Sequence, residues 1–256
     1  MLLAVDIGNT SITFGIFRGK RLERRWRSPA SGPLKDLFKG LRQRPYDIDA
    51  IVISSVAPKI LLKLEGRLAR LFHVRPLVVG RDLDFGIPNL YRDPRQVGSD
   101  RLVNAVAAKR LYGSPLIIVD FGTATTFDLI SRKGEYIGGI IAPGVEISLK
   151  ALSSKAALLP EVNLTRPKGL VGRETRESMI AGIVHGFSSL CDGIVSKLRR
   201  EYGPKIPVIA TGGQARKIVS YCKTIDKVNP WLTLEGLRMI YEKTRISEDE
   251  NLPRSA

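Results

Sequence analysis

The pattern of hydrophobic and polar positions contains two short apolar runs. In each run an aspartate is the second-to-last residue, and a glycine follows directly after the run. Residues 2–7 and residues 116–121 are rich in Leu, Ile, Val and Phe, which suit a pleated, buried strand. Gly8 and Gly122 follow and allow the backbone to turn tightly. In both places a second strand, a charged turn with a glycine and a third strand come next. The pattern therefore predicts a β-meander that occurs twice.

The repeat organises the whole chain. Its spacing is far longer than that of any solenoid, so it predicts two similar domains, residues 1–114 and residues 115–256, rather than an array of small units. Outside the meanders, segments with strand and helix periodicity alternate, which extends each inner sheet with parallel strands. We predict an α/β fold in which each domain has a mixed sheet, an antiparallel meander plus parallel strands, with flanking helices. A nucleotide would bind between the domains.

The turn after each first strand offers phosphate-binding chemistry. Backbone N–H groups and hydroxyls after Gly8 and Gly122 suit phosphate oxygens, and Asp120 is placed to bind a cation or to align a metal-bound phosphate. One such turn alone is equally typical of a plain hairpin. The pair resembles the phosphate-binding turns of the actin, Hsp70 and sugar kinase superfamily. This resemblance implies two ribonuclease H-like domains with an ATP cleft between them.

The remaining elements of the first half are predicted from periodicity and turn residues. Strands are predicted for residues 47–54 and 76–79, and helices for residues 34–41 and for a segment opened by Pro58. Residues 80–98 are broken by Gly and Pro, but their Phe, Ile, Leu and Tyr argue against disorder. This segment therefore predicts a packed loop that contacts substrate.

Asp100 is a candidate catalytic carboxylate. It follows the predicted substrate loop and opens a helix. One interpretation is a helix N-cap, a common use of Asp. The other is a general base, because an ionised carboxylate here could accept the proton of a substrate hydroxyl. The residues alone leave both interpretations open.

In the second half, glycines precede the helices. Residues 138–144 turn into a helix, residues 172–178 open the longest helix, and residues 206–213 form a strand that ends in a pair of glycines, a place suited to a nucleoside or phosphate. Doubled glycines indicate close approach of the backbone to a ligand or to a packed helix. The apolar stripe of the longest helix predicts a core or dimer contact, and residues 231–242 form a last helix.

The composition is that of a soluble globular protein and argues against a membrane protein or a secreted one. The chain has 256 residues, of which 43% are hydrophobic and 26% charged, as is usual for a soluble globular protein. No apolar run approaches the roughly 20 residues that span a bilayer, and the N-terminus shows no secretory signal, so we expect a cytoplasmic protein. Cys191, Cys222, His73 and His185 are too few and too scattered for a zinc site.

The formal charge of +16 raises the question of nucleic acid binding. Six basic residues surround Trp26, namely Arg18, Lys20, Arg21, Arg24, Arg25 and Arg27. No recognition motif accompanies them, and their alternation predicts an exposed edge strand whose charges discourage edge-to-edge pairing. A positive field would also attract anionic ligands such as nucleotides and carboxylates.

Several motifs together resemble those of the type III pantothenate kinases. The similarity extends over nearly the whole chain. The matching segments are residues 5–10, 54–58, 98–101, 120–124, 138–139, 143–144, 211–213 and 233–237. Each motif is modest by itself, whereas their order and combination are specific. The resemblance implies transfer of the ATP γ-phosphoryl group to the primary hydroxyl of pantothenate, the first step of coenzyme A biosynthesis.

The resemblance also implies roles for individual residues. Asp100 would be the proton acceptor, and Asp120 the ligand of a monovalent cation, K⁺ or NH₄⁺, that acts beside Mg²⁺. The residues implied to bind ATP are Asp6, Ile7, Gly8, Asn9, Thr10, Ser11, Ile12, Thr13 and Thr123. Those implied to bind pantothenate are Tyr91, Gly98, Ser99, Asp100, Arg101 and Thr175. A homodimer with the substrate pocket near its interface is implied as well.

Two alternatives to a pantothenate kinase follow from the same residues. A non-catalytic regulatory relative would act through nucleic acid or a protein partner, and the basic strand around Trp26 favours it. A kinase of the same fold that phosphorylates a sugar or another carboxylate is the second, and residues 98–101 argue against it. Arg101 itself either pairs with the pantothenate carboxylate or forms a structural ion pair.

Overall fold

The computed structural model describes residues 1–32, 37–38 and 46–251. The strands are β1 (Leu2–Ile7), β2 (Ser11–Arg18), β3 (Arg21–Pro29), β4 (Ala50–Ser55), β5 (Leu77–Val78), β6 (Leu116–Phe121), β7 (Ala124–Ile130), β8 (Tyr136–Pro143), β9 (Val208–Thr211) and β10 (Lys227–Val228). The helices are α1 (Pro58–Phe72), α2 (Ser99–Tyr112), α3 (Val145–Lys155), α4 (Thr175–Tyr202), α5 (Ala215–Ile218) and α6 (Leu232–Asn251). The helix predicted for residues 34–41 lies mostly outside the described residues.

The strands form two five-stranded sheets with the same topology. The first has the order β3-β2-β1-β4-β5, and the second, from the corresponding edge, has the order β8-β7-β6-β9-β10. In each sheet three antiparallel strands form a meander, whose first strand pairs in parallel with a later strand, β4 or β9. The duplicated meander and the predicted fold class are confirmed.

Each sheet has its own hydrophobic core. One face of the first sheet, with Val5 and Ile53, packs on Leu64 and Leu68 of α1. This helix begins at Pro58, whose fixed φ suits a first helical turn. The helical spacing of the apolar residues after Pro58 therefore predicted both the helix and the face that it buries.

In the second core, the apolar stripe of α4 packs on the sheet. Val119 and Phe121 of β6 share this core with Ile183 and Phe187 of α4. By length and composition alone α4 could also cross a membrane, and 44% of its most apolar window is buried within the protein. Its packing on the sheet accounts for the apolar residues on its buried side, as in the core helix of a globular unit.

Contacts within the chain divide it into two compact units. The first contains Met1–Leu111 and the segment that begins at Leu232, and the second contains Tyr112–Trp231. The predicted domains, residues 1–114 and 115–256, differ from this division in the last helix. In the structure α6 packs on β1, β2 and β4 of the first unit. Helical periodicity predicts that α6 has an apolar face but not which sheet this face covers.

Gly236 allows α6 to lie directly against α2. A Cβ at this position would overlap the carbonyl oxygen of Val103 and lie 2.6 Å from its Cγ1. We expect Gly236→Ala to lower the free energy of unfolding by about 1–3 kcal/mol, measured by urea denaturation, because the two backbones would have to separate.

The matched control is Gly66→Ala in α1. A Cβ there would meet no atom of the described residues within 4 Å. Its free energy of unfolding should stay the same or rise, because Ala favours a helix more than Gly does. An equal loss of stability in both variants would contradict the packing argument.

Candidate active site

The first turn joins β1 to β2 through residues 8–10. The backbone N–H of Gly8 donates a hydrogen bond of 3.0 Å to the carbonyl oxygen of Ser11 and closes the turn. Asn9 and Thr10 are exposed at its tip. Backbone N–H groups and polar side chains at such a tip suit the oxygens of a phosphate group.

Several residues implied to bind ATP have buried side chains. Ile7 and Ile12 lie in the core, so they could contact a ligand only through backbone atoms. Thr13 is also buried, and its Oγ1 accepts a hydrogen bond of 3.2 Å from Arg27 Nε. The exposed side chains of the segment are therefore those at the tip of the turn.

Asp6 lies between two hydroxyl residues near the end of β1. It pairs with Thr13 of β2 and with Ser54 of β4, and paired residues project from the same face of a sheet. Carboxylate and hydroxyl oxygens thus share one edge of the first sheet, beside the turn of residues 8–10. Sequence analysis gave Ser54 no role, because the register of distant parallel strands cannot be seen in the sequence.

Ser99 fastens α2 to the end of β4. Its Oγ lies 3.0 Å from Ser54 Oγ, accepts a hydrogen bond of 3.2 Å from the Ser55 N–H and donates one of 3.0 Å to the Ser55 carbonyl oxygen. These bonds place the start of α2 at the same edge of the first sheet as Asp6. They also occupy the Ser99 hydroxyl, so Ser99 would meet a substrate through other atoms.

Asp100 is the second residue of α2 and therefore not its N-cap. Its Oδ1 accepts a hydrogen bond of 2.8 Å from the Arg101 N–H, and an anionic group suits the positive end of a helix. Gly98 makes room for this carboxylate, since a Cβ there would lie 2.6 Å from Asp100 Oδ1. Arg101 is only 8% exposed, and either interpretation of its guanidinium agrees with this burial.

The loop that precedes α2 is packed, as predicted. Its residues Leu83, Ile87 and Val97 are buried. Tyr91 is half-buried, and its backbone N–H donates a hydrogen bond of 3.0 Å to Asn89 Oδ1. The loop therefore holds Tyr91 in a defined place within the same unit as Asp100.

The second turn, residues 122–123, joins β6 to β7 and is one residue shorter than the first. The Gly122 N–H donates a hydrogen bond of 3.1 Å to the Ala124 carbonyl oxygen. Gly144, the residue before α3, packs directly against this turn. A Cβ at Gly144 would overlap the carbonyl oxygen of Thr123 and lie 2.8 Å from that of Gly122. The position of Thr123 thus depends on a glycine at residue 144.

Asp120 occupies the same position in the second sheet as Asp6 in the first. It pairs with Thr126 of β7 and Thr211 of β9. Gly212, with a φ of 95°, lies so close that a Cβ there would overlap Asp120 Oδ1. The glycines predicted to suit a nucleoside or phosphate thus begin beside this carboxylate. Carboxylate and hydroxyl oxygens are the ligands that hard cations prefer.

A buried polar group behind the second turn was not predicted. Tyr136 donates a hydrogen bond of 2.7 Å from its hydroxyl to Asp128 Oδ1, and Thr126 Oγ1 donates one of 3.1 Å to Asp128 Oδ2. Asp128 and Tyr136 are fully buried. Because Thr126 is the cross-strand neighbour of Asp120, this group supports one side of the Asp120 site. An aspartate within the otherwise apolar stretch of residues 127–130 was the signal in the sequence.

Thr175 is the first residue of α4 and is exposed. It belongs to the second unit, whereas Asp100 and Tyr91 belong to the first. The chain reaches Thr175 through Gly172, where a Cβ would lie 2.6 Å from the carbonyl carbon of Glu177. The glycine therefore lets the backbone pass close to the first turn of α4.

The described part of the chain contains no cluster of three His, Cys, Asp or Glu side chains arranged to hold a metal ion. Cys191 is buried in the second core. Its contact with the Cys222 thiol and its burial raise the pKa of the Cys191 thiol. A thiol with a raised pKa is a poor nucleophile, which agrees with a structural role.

The known proteins with similar sequences belong to one family. A family model described as type III pantothenate kinase matches residues 2–197. Relatives with that name include proteins from Geobacter sulfurreducens, 47% identical over 254 residues, and Myxococcus xanthus, 44% identical over 256 residues. Each alignment covers 96% of this chain and 100% of the relative.

Solved structures share the fold at lower identity. A Campylobacter jejuni protein described as a conserved Baf family transcriptional activator gives a TM-score of 0.62 at 18% identity, over 95% of this chain and 99% of that chain. The activator of 2-hydroxyisocaproyl-CoA dehydratase from Clostridium difficile, with bound ADPNP, gives 0.56 at 16% identity, over 100% and 99%. These two likenesses concern the fold alone. The family model and the full-length relatives show that this chain belongs to the type III pantothenate kinase family.

Proposed function

We propose that this chain transfers the γ-phosphoryl group of ATP to the primary hydroxyl of pantothenate and forms 4′-phosphopantothenate, the first step of coenzyme A biosynthesis. Family membership supports the reaction. The structural observation that carries the proposal is the connection from Asp6 through Ser54 to Ser99. It sets the Asp100 carboxylate at the edge of the sheet that also bears the first phosphate turn.

The chemistry requires positioning and charge neutralisation more than covalent help. As the pantothenate oxygen attacks the γ-phosphorus, the bond from phosphorus to the bridging oxygen of ADP breaks. The hydroxyl proton moves to the Asp100 carboxylate, and ADP leaves. Residues 6–13 and Thr123 would hold the ATP phosphates, with Ile7 and Ile12 acting through backbone atoms only.

The residues around Asp100 are proposed to bind pantothenate. Arg101 would pair with the pantothenate carboxylate. The other residues proposed to contact pantothenate are Tyr91, Gly98, Ser99 and Thr175. The hydroxyl of Ser99 already holds the start of α2, so its contribution to binding is mainly the position of Asp100.

Two kinds of cation would assist. Mg²⁺, held chiefly by the phosphates, would neutralise part of the charge on ATP. The oxygen-rich surroundings of Asp120, with Thr126 and Thr211 in register on either side, fit a monovalent cation, K⁺ or NH₄⁺. Asp120 would be its carboxylate ligand.

We expect Asp120→Asn to raise the K⁺ concentration for half-maximal turnover about tenfold, which corresponds to ~1.4 kcal/mol. The amide keeps the shape of the side chain but removes its charge. The measurement is turnover against K⁺ at constant ionic strength, with Na⁺ as the replacement. Glu161→Gln, an exposed residue of the same unit, is the matched control for the lost charge. An unchanged K⁺ dependence in Asp120→Asn would remove Asp120 as the ligand.

We also propose a cytoplasmic homodimer. Apolar side chains are exposed on the edge strand β8, on α3 and on the segment that follows. They are Ile140, Ile141, Ile147, Leu152, Leu158, Leu170 and Val171. An exposed apolar surface of this kind is typical of an interface between subunits. Light scattering coupled to size exclusion measures the oligomeric state, and a monomer at micromolar concentration would contradict the proposal.

A regulatory relative that binds nucleic acid is the second candidate, and β3 is the feature that favours it. As predicted, β3 is an exposed edge strand, with Arg21, Arg25 and Arg27 on its exposed side. Trp26 argues against this function, because one face of its ring stacks on Phe14 at a centroid distance of 4.8 Å and its Nε1–H donates a hydrogen bond of 3.0 Å to the Leu37 carbonyl oxygen, so the side chain is used in packing.

The test of the reaction is ATP consumption with pantothenate, with glucose or N-acetylglucosamine, and with no acceptor. We expect turnover with pantothenate alone and a product heavier by one phosphoryl group. Turnover with a sugar alone would favour the other kind of kinase. If no acceptor supports turnover and DNA binds with an affinity that falls steeply with salt, the regulatory function would replace the proposed one.

A further inference from the structure

A groove of about 660 Å³ lies in the first unit, away from the candidate active site. Met1 and Leu2, at the amino end of β1, line one part of it. Gly8 follows the carboxyl end of the same strand. At ~3.3 Å per residue the two ends are about 20 Å apart. The groove is therefore separate from the phosphate turn.

Each acidic residue of the groove already has a cationic partner. The Met1 ammonium group lies 2.9 Å from Asp49 Oδ2. Glu242 Oε2 accepts a hydrogen bond of 2.6 Å from the buried Arg238. Asp49 is thus balanced by the Met1 ammonium group. Arg238 also pairs with Glu235 at 2.9 Å, so this one cation balances only one of its two carboxylate partners.

The basic residues of the groove are not neutralised in the same way. Lys20 and Arg245 are exposed, and within the described part of the chain neither forms an ion pair. Arg18 approaches Glu23 at 3.8 Å, but Arg21 shares that carboxylate at 3.6 Å. Among the described side chains at the groove and their ion-pair partners, six cations face four carboxylates, so a net positive charge remains. The cations are the Met1 ammonium group, Arg18, Lys20, Arg21, Arg238 and Arg245, and the carboxylates are Glu23, Asp49, Glu235 and Glu242.

The cations of the groove come from two elements, the turn between β2 and β3 and helix α6. Arg18 and Lys20 flank Gly19, whose φ of 55° forms the tight turn between β2 and β3. Arg245 projects from α6, with its guanidinium 6.0 Å from the centre of the Tyr241 ring. Tyr241 and Ile246 supply apolar surface. Such a groove can hold an anionic group beside these cations while a less polar part of the ligand lies against the exposed apolar surface of Tyr241 and Ile246.

We propose that this groove binds a small organic phosphate with at least two negative charges and an apolar or aromatic part. Two negative charges match the basic residues of the two elements, and the apolar or aromatic part matches the surface of Tyr241 and Ile246. The site does not depend on the proposed kinase reaction. It would let a phosphorylated metabolite bind the first unit while the phosphate turn is occupied.

The test is calorimetric titration of the whole protein saturated with Mg²⁺ and a non-hydrolysable ATP analogue. The probes are adenosine 3′,5′-bisphosphate, which carries an aromatic base, and tripolyphosphate, which does not. We expect the bisphosphate to bind and Lys20→Ala/Arg245→Ala to weaken it at least tenfold. Tighter binding of the bisphosphate than of tripolyphosphate would support the contact with Tyr241. Equal binding would overturn the aromatic part of the proposal.

The matched control is Lys63→Ala/Arg67→Ala, which removes the same charge from the exposed side of α1. Equal weakening in both double variants would show a general charge effect and would overturn the proposal. So would absence of binding up to 10 mM, or binding of duplex DNA alone. Because the readout is direct binding, failure of the kinase reaction and failure of this site give different results. Thermal unfolding of both variants checks that they are folded.

Discussion

Asp100→Asn is expected to lower pantothenate-dependent turnover by a factor of about 10²–10⁴, the usual contribution of a general base. The asparagine amide is nearly isosteric, and its oxygen can keep the hydrogen bond from the Arg101 N–H that positions the carboxylate in α2. What it removes is the capacity to accept the substrate proton. ATP affinity should be nearly unchanged, because Asp100 is not among the residues proposed to bind the phosphates.

Two measurements separate the base from a structural role. Steady-state ADP release with saturating pantothenate gives kcat, and calorimetry gives the Kd for ATP. Asp47→Asn is the matched control, since it removes one exposed carboxylate at the amino end of the same sheet and should leave kcat unchanged. Turnover within tenfold of the unmodified enzyme would assign the base to another residue. Loss of ATP binding together with turnover would make Asp100 a structural residue.

Gly144→Ala is expected to damage the second turn directly. The added methyl group would overlap the carbonyl oxygen of Thr123 and lie 2.7 Å from its carbonyl carbon, and only backbone movement could relieve the contact. The φ of Gly144 is −77°, so the backbone itself tolerates alanine and the effect is steric. A displacement of about 1 Å at a site of phosphoryl transfer can lower the rate about 10²-fold.

The expected result for Gly144→Ala is a fall in kcat/KM for ATP of about 10²-fold, with a fall in the free energy of unfolding of about 1–3 kcal/mol. Gly193→Ala in α4 is the matched control, because a Cβ there would meet no atom of the described residues within 4 Å. Its kcat/KM should not change. Full activity in Gly144→Ala would show that the second turn tolerates this movement or does not contact ATP.

Local patterns predicted the parts of the site that are local in sequence. The strand, aspartate and glycine of each turn lie within a few residues, so alternation and turn chemistry identified them without tertiary information. The same holds for α1, whose first proline and apolar spacing are short-range signals. The sequence marked Asp100 as a candidate, and the structure adds that α2 begins one residue earlier, at Ser99, so Asp100 is not the N-cap, while its role as a base stays a prediction.

The parts that were missed depend on contacts between distant segments. Ser54 gains its place beside Asp6, and Thr211 its place beside Asp120, from the register of parallel strands, which loops and packing decide. The glycine pair that ends residues 206–213 was predicted to suit a ligand, but the contact of Gly212 with Asp120 and that of Gly144 with Thr123 appear only in three dimensions. The conformational propensities of single residues carry no information about distances between segments that are far apart in the sequence.

The first unit is built from both ends of the chain, and this has a consequence for synthesis on the ribosome. Met1–Leu111 emerges first, yet the face of its sheet around Gly15 stays uncovered until the segment that begins at Leu232 is translated. The second unit is continuous, so all of its residues are present earlier. The N-terminal part of this protein is therefore translated first and completed last, and until then its uncovered face is a natural target for a chaperone.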